Sequence, residues 1–350
     1  MPLQQLLGID LPLIQAPMAG VQNHALAAAV SNAGGLGSLP CALLDAAGLR
    51  AELTALTAKT AKPYNLNFFC HAPAPADAQR EAAWRSALTP YYTELGLDPA
   101  SIGAGPGRQP FSNDMAEVLE EFRPPVVSFH FGLPNAELLA RVKACGARIL
   151  SSATTVEEAL WLQEQGVDAL IAQGLEAGGH RGHFLDMDIS RQLGTFALLP
   201  QIVDAVRLPV IAAGGIADAR GIRAAMALGA AGVQIGTAYL CCPEATTSAV
   251  HRAALQSPQA RHSALTNLFS GRPARGIVNR LMRELGPISP VAPGFPLATA
   301  AIAPLRAKAE SQGSGDFSPL WAGQNASGCK AIGAAELTRE LARGFSPNRS

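Results

Sequence analysis

The stretch IAQGLEAGGHRGHF, residues 171–184, carries His180, Arg181 and His183 through a glycine-rich turn directly behind an apolar run. A neutral imidazole accepts a proton, and a charged one holds an anion. A zinc reading would take His180, His183, Asp186 and Asp188 as ligands. The segment is broken by glycine and no HExxH or comparable third-ligand spacing accompanies it, so no metal is assigned. His183 reads as an incidental turn residue. His180, aimed inward by the tight AGG turn, reads as a base or an electrostatic partner in a pocket. His130, in SFHFG (128–132), stands at another strand end. It is either a second pocket residue or a core histidine between two phenylalanines.

Two further motifs suit a phosphate. AAGGI (212–216) places Gly214 and Gly215 just before a helix whose N-terminus can receive an anion. QIGT (234–237) offers the backbone of Gln234, Ile235, Gly236 and Thr237 with one hydroxyl. α/β barrels build such grips behind their last two strands. No GxGxxG follows any strand, which removes a dinucleotide fold and leaves a mononucleotide or sugar phosphate, with FMN as the redox candidate. A flavin needs hydrogen-bond partners and small residues near its ring. Pro17 and Met18 of QAPMAG (15–20) can flank it, Gly178 and Gly179 can turn over it, and the amides of Asn67 and Gln173 can bond its polar edge or its ribityl chain.

Such strand ends need a scaffold. Short apolar runs at 12–18, 35–40, 64–69, 125–131, 147–153, 168–174, 208–215 and 231–240 read as parallel strands buried on both faces. Helical stretches at 24–34, 42–58, 135–145, 155–166, 197–206 and 218–228 lie between them, the last with Asp218 able to cap it and Gly229 to end it. The fold class is therefore α/β: a (β/α)8 TIM barrel with an appended C-terminal helical subdomain covering the barrel mouth. Residues 1–240 form the FMN-binding barrel, with an excursion at 96–124 that includes GAGPGRQP. Residues 241–350 form the cover, with 271–277 and 315–324 returning towards the barrel.

Composition narrows the partners. Lys+Arg and Asp+Glu are equal at 27 each and no block of like charge occurs, which argues against nucleic acid and against a membrane surface. Six scattered cysteines without a CxxC pair read as free thiols of a reducing compartment. The N-terminal stretch lacks a basic leader pattern, and no uninterrupted apolar run approaches ~18 residues. The expectation is a cytoplasmic monomer or homodimer acting on a small molecule.

Taken together, QAPMAG, NLNFFCH, SFHFG, AQGLEAGGHRG, PVIAAGGI, VQIGTAYL, GRPARGI (271–277) and GDFSPLWAGQ (315–324) resemble nitronate monooxygenase, the FMN-dependent barrel family formerly called 2-nitropropane dioxygenase. The likeness runs from about residue 10 to residue 325. SFHFG and LWAGQ point to its class that does not use NAD(P)H. The resemblance implies FMN at Asn67, Gln173, Gly178, Gly215 and Gln234 to Thr237, a catalytic His180 and a pocket His130. It implies oxidation of alkyl nitronates such as propionate 3-nitronate with O2, by one-electron transfer through a flavin semiquinone, to a carbonyl product plus nitrite or nitrate. His180 would bind the nitronate electrostatically or take the α-proton of a neutral nitroalkane. Phe295 and Phe317 stand where similar enzymes often carry tyrosines, which bears on substrate preference. The competing reading is an NAD(P)H-dependent flavin reductase of a quinone or an enoyl thioester. A degenerate flavin-binding protein and a phosphate-gripping aldolase or isomerase explain less, the latter lacking a lysine at any strand end.

Overall fold

The computed structural model of the chain describes residues 1–75, 77–103 and 108–346. Its main sheet contains β1 (Leu13–Gln15), β2 (Gly37–Pro40), β3 (Tyr64–Phe69), β4 (Val126–His130), β5 (Arg148–Ala153) and β6 (Ala169–Gln173). After β7 (Gly179–His180), which lies outside this sheet, β8 (Val210–Ala213) and β9 (Gly232–Ile235) complete it. All pairings are parallel in the order β1-β9-β8-β6-β5-β4-β3-β2. An Ile14–Leu36 bridge joins the two ends, with Gln15 N donating to Leu36 O (2.9 Å) and Leu36 N to Leu13 O (2.8 Å). The ring is thereby closed into an eight-stranded TIM barrel, as the apolar runs predict.

Around it lie α2 (His24–Asn32), α3 (Ala46–Thr57), α5 (Asn113–Phe122), α6 (Ala136–Ala144), α7 (Val156–Glu164), α8 (Thr195–Ala205) and α9 (Ala219–Ala227). Five of these start where the sequence supplies a side-chain acceptor for an orphan N–H, at Asn23, Asp45, Asn135, Thr155 and Asp218. Outward strand residues such as Val127, Ile149, Leu170 and Val233 pack under this shell, while α1 (Leu3–Leu7) plugs the opposite end against Ile14, Val126, Leu150 and Ile211. The interior changes character along each strand because alternate residues point inward. Val126, Ser128 and His130 run from the apolar plug to a polar mouth, as do Ala169, Ile171 and Gln173.

Three helices, α4, α5 and α13, have placements that the sequence pattern does not give. Within the expected excursion, α5 is a barrel helix packed between α3 and α6, and residues 104–107 lie outside the described residues. The helix that leaves the barrel is α4 (Ala78–Glu94). Its Trp84, Leu88, Tyr91 and Tyr92 share a core with Leu268, Leu305 and Phe317, against α12 (Thr299–Ser311). Conversely α13 (Ala334–Ala342), near the chain end, packs on both α2 and α9 and fills the eighth helix position.

The intervening segment holds α10 (Ala249–Leu255) and α11 (Arg280–Leu285). It also forms an antiparallel sheet of β10 (Ser263–Thr266), β11 (Ala274–Ile277) and β7, so the cover is tied directly to the His180 turn. No helix among the described residues is long and apolar enough to cross a membrane.

Candidate active site

A cleft of about 1340 Å³, its open mouth included, lies at the C-terminal ends of the barrel strands. It gathers Pro17, Met18, Asn67, His130, Gln173, Gly178, Gly179, His180, Gly214, Gly215, Gln234, Ile235, Gly236 and Thr237, the candidate catalytic, pocket and flavin-binding residues named from the sequence. His251, Trp321, Gly323 and Asn325 of the C-terminal segment complete the wall.

The His180 turn is held from three sides. Gln173, at the end of β6, donates from Nε2 to His180 O (3.0 Å) and accepts at Oε1 from Gly182 N (2.8 Å). Arg181 turns back under the barrel rim, donating to Gly174 O (2.6 Å), Gln173 O (2.7 Å) and Gln192 Oε1 (2.8 and 3.0 Å). On the outer side, His180 pairs with Ala274 and Gly179 with Arg275 of β11. Glu176 anchors the start of the turn, its carboxylate accepting from Thr195 N (2.7 and 3.0 Å) and Thr195 Oγ1 (2.8 Å). Gln173 thus spends most of its amide on positioning the turn.

The His180 ring contacts Phe295 (5.2 Å between centroids), Trp321 (5.6 Å) and Phe69 (6.1 Å). Its Nε2 lies 2.8 Å from Ser270 Oγ, which is in reach of Arg272 O (3.4 Å). With Ser270 donating to that carbonyl, Nε2 carries the proton and Nδ1 keeps the basic lone pair; none of the described residues hydrogen-bonds Nδ1. Burial, and then the charge of Arg108, hold His180 well below the usual imidazole pKa. His130 sits behind it, with Nδ1 2.6 Å from Ser152 Oγ and Nε2 3.2 Å from His180 O. Burial, with Arg272 adding to it, pushes His130 down to about 3. Both histidines are neutral at pH 7.

Burial also depresses His183 and His251, each to about 4, and lowers His71. An unfolded chain binds protons at these histidines near pH ~6.5 that the folded chain refuses. Stability therefore declines as pH falls below ~6.5, until the folded-state values are passed. Thermal melts should show a Tm steady from about pH 8 to 6.5 and falling towards about pH 4.5. A Tm that holds or rises over that lower range contradicts the neutral assignment.

The opposite wall is a cradle of backbone. Gly214 and Gly215 take φ of +118° and +72°, which L side chains rarely adopt, turning the chain sharply behind β8. Among the described residues, the N–H groups of Gly214, Gly215, Gly236 and Thr237 donate to no protein acceptor. Gly178 is closely overlaid: a Cβ there would lie 2.5 Å from Gly323 N. Gln234 Oε1 is buried without a partner, and Asn67 donates to Ser128 Oγ (2.9 Å) and O (3.3 Å). The Ala16–Met18 rim is fixed by Gln22, which accepts from Gln15 Nε2 (2.8 Å) and Met18 N (2.9 Å).

Three expectations need correction. His183 is no surface residue; it is 1% exposed, its carbonyl accepting from Arg272 Nη2. The α9 N-terminus is not free for an anion, because Asp218 Oδ1 accepts from Arg220 N (2.9 Å) and Gly221 N (3.0 Å). The cradle thus consists of loop amides alone. Phe295 and Phe317 also part company: Phe295 lies against His180, whereas Phe317 packs against Tyr91 in the α4 core. As for the zinc reading, Asp186 pairs with Arg191 and Asp188 caps a 3-10 turn at Ile189–Arg191. Among the described residues, no group of three or more His, Cys, Asp or Glu could hold a metal ion.

Sequence reasoning missed Arg181, Glu176, Ser270, Arg108 and His71. For Arg108, an arginine in a Gly/Pro-rich loop gave no local sign that it lines the cleft. His71 directly follows NLNFFC and donates from Nε2 to Arg108 O (3.0 Å), placing it beside β3.

Comparison with known proteins converges on one family. The family model described as nitronate monooxygenase matches residues 1–344. A nitronate monooxygenase of Paraburkholderia phytofirmans is 46% identical over 97% of this chain and 93% of its own length. One of Pseudomonas aeruginosa is 45% identical over 96% and 97%. The crystal structure of a nitroalkane oxidase from Streptomyces ansochromogenes superposes with a TM-score of 0.89 at 37% identity, covering 98% of this chain and 97% of the other. Such agreement over nearly the full length, on a barrel whose mouth gathers the same motifs, shows that this chain belongs to the nitronate monooxygenase family of oxidoreductases.

Proposed function

We propose that this enzyme binds FMN and oxidises alkyl nitronates, propionate 3-nitronate among them, with O2, releasing a carbonyl product and nitrite or nitrate. The observation that carries the reading is one cleft with two unlike walls. One wall offers unpaired backbone N–H groups at Gly214, Gly215, Gly236 and Thr237, and the other a half-buried, neutral His180.

The residues fit the flavin. Loop amides suit a phosphate, and the unpartnered Gln234 Oε1 awaits a donor. Gly178 and the Pro17–Met18 rim leave room for a flat ring, with Asn67 and Gln173 at its polar edge. FMN supplies the electron relay between the substrate and O2. The chain's own residues do the rest. Phe69, Phe295 and Trp321 surround His180 with apolar surface that excludes water. His180 Nδ1 takes the α-proton when the substrate arrives as a neutral nitroalkane, and Ser270 keeps Nε2 protonated meanwhile. His130 fixes the His180 backbone rather than exchanging protons itself.

Oxygen uptake on adding propionate 3-nitronate to FMN-loaded enzyme, with nitrite or nitrate release and about one FMN per chain, tests the reading. Bound FMN without oxygen uptake contradicts it. A second test addresses the cradle: Gly178→Ala should lower FMN retention after gel filtration by about tenfold or more, because the added methyl meets backbone at Gly323 rather than a movable side chain. Unchanged retention contradicts the placement of the flavin under this turn.

A further inference from the structure

Arg108 is the only permanently charged side chain among the described residues lining the cleft. Its guanidinium lies 5.6 Å from the Phe295 ring centroid, and His180 lies 5.2 Å from that same ring, so one small molecule can reach both. Among the described residues, the single acceptor its side chain meets is Thr299 Oγ1, 3.1 Å from Nη1. Among the described residues no Asp or Glu forms an ion pair with it, and burial followed by Arg306 acts on its pKa only downwards. Arg108 is half-buried, and a partly desolvated cation without a counter-charge is costly unless a ligand supplies one.

The phosphate cradle does not supply it. Arg108 contacts His71, beside β3, and Phe295 and Thr299 of the cover. In the ring order β3 stands across the barrel from β8, which carries the Gly214–Gly215 turn. Nor does His180 share the work of holding an anion, since burial keeps it uncharged. Arg108 is also fixed in place, its carbonyl bonded to His71 Nε2 (3.0 Å).

We propose that Arg108 is a specificity-determining residue that binds a carboxylate at the end of the substrate remote from the nitronate carbon, so that the enzyme prefers nitronates carrying a second anionic group. The inference rests on the nitronate reading above. A guanidinium matches a carboxylate through two parallel N–H···O bonds, which a lysine ammonium cannot reproduce.

The test compares wild type, Arg108→Met and Arg108→Lys on propionate 3-nitronate and on propyl nitronate, which lacks the carboxylate. The ratio of the two kcat/KM values should fall by roughly 10- to 100-fold in R108M, mostly through KM for the carboxylate substrate, with partial recovery in R108K. Equal losses on both substrates overturn the proposal. A binding measurement guards against misfolding and stands apart from turnover. Butyrate, whose carboxylate can reach Arg108, and butyramide, its uncharged counterpart, are titrated into FMN-loaded enzyme and followed by flavin absorbance. Wild type should bind butyrate at least about tenfold more tightly than butyramide, and R108M should lose that preference. A wild type that binds both alike overturns the assignment. Absence of turnover on either nitronate, with the butyrate preference intact, discards the nitronate reading and keeps the anion site.

Discussion

Replacing His180 with asparagine is expected to lower kcat/KM for a neutral nitroalkane by about 10²- to 10⁴-fold, the range set by general-base catalysis. The same change should cost less than about tenfold on a preformed nitronate, whose α-proton is already gone. Asparagine can keep a hydrogen bond to Ser270 but has no basic nitrogen, so the variant separates basicity from shape. The pH profile carries the same information. Because burial and Arg108 hold His180 well below its usual value, the base is proton-free throughout neutral pH. Activity on the nitroalkane should stay level as pH falls to ~6.5 and drop only in more acid solution, as the imidazole finally takes up a proton. Oxygen uptake on paired substrates reads both effects. Equal loss on the two substrates would remove the base role.

The second large effect belongs to Arg181, which touches no substrate. Its side chain is 0% exposed and donates to Gly174 O, Gln173 O and Gln192 Oε1. Burial lowers its pKa only to about 10, so it stays charged at pH 7. Methionine fills similar space but leaves three buried acceptors without donors. At about 1–3 kcal/mol each, partly relieved by relaxation, the loss is about 3–5 kcal/mol. Chemical denaturation should report that loss, together with weaker FMN retention as the His180 turn loosens. A variant within about 1 kcal/mol of wild type contradicts the anchoring role.

These two residues also show what the sequence could and could not reveal. All eight barrel strands were legible, since strands buried on both faces read as short, mainly apolar runs. The glycine pairs and His180 were legible because their chemistry is local. Arg181 was not: in HRGH it looks like a solvated arginine, and its acceptors only assemble once β6 has ended and the chain has turned back. Glu176 was hidden for the same reason, its partner Thr195 lying on the next helix. Neither α4, just before the excursion expected at 96–124, nor α5, within it, was read as a helix. α5 was obscured by glycine and proline beside it. α4 carries Pro90 and several charges, and its apolar face has no meaning until α12 packs on it. Likewise, nothing within α13 announces that it closes the helical ring more than 100 residues after α9.

The proposed function requires a flavin that is reduced by a nitronate and not by a nicotinamide. Anaerobic stopped-flow mixing of FMN-loaded enzyme with propionate 3-nitronate, and separately with NADH or NADPH, tests it most directly. The cleft described here predicts fast loss of oxidised-flavin absorbance with the nitronate and no comparable change with either nicotinamide. Rapid bleaching by NADH or NADPH, with the nitronate inert, would contradict it and leave an NAD(P)H-dependent flavin reductase.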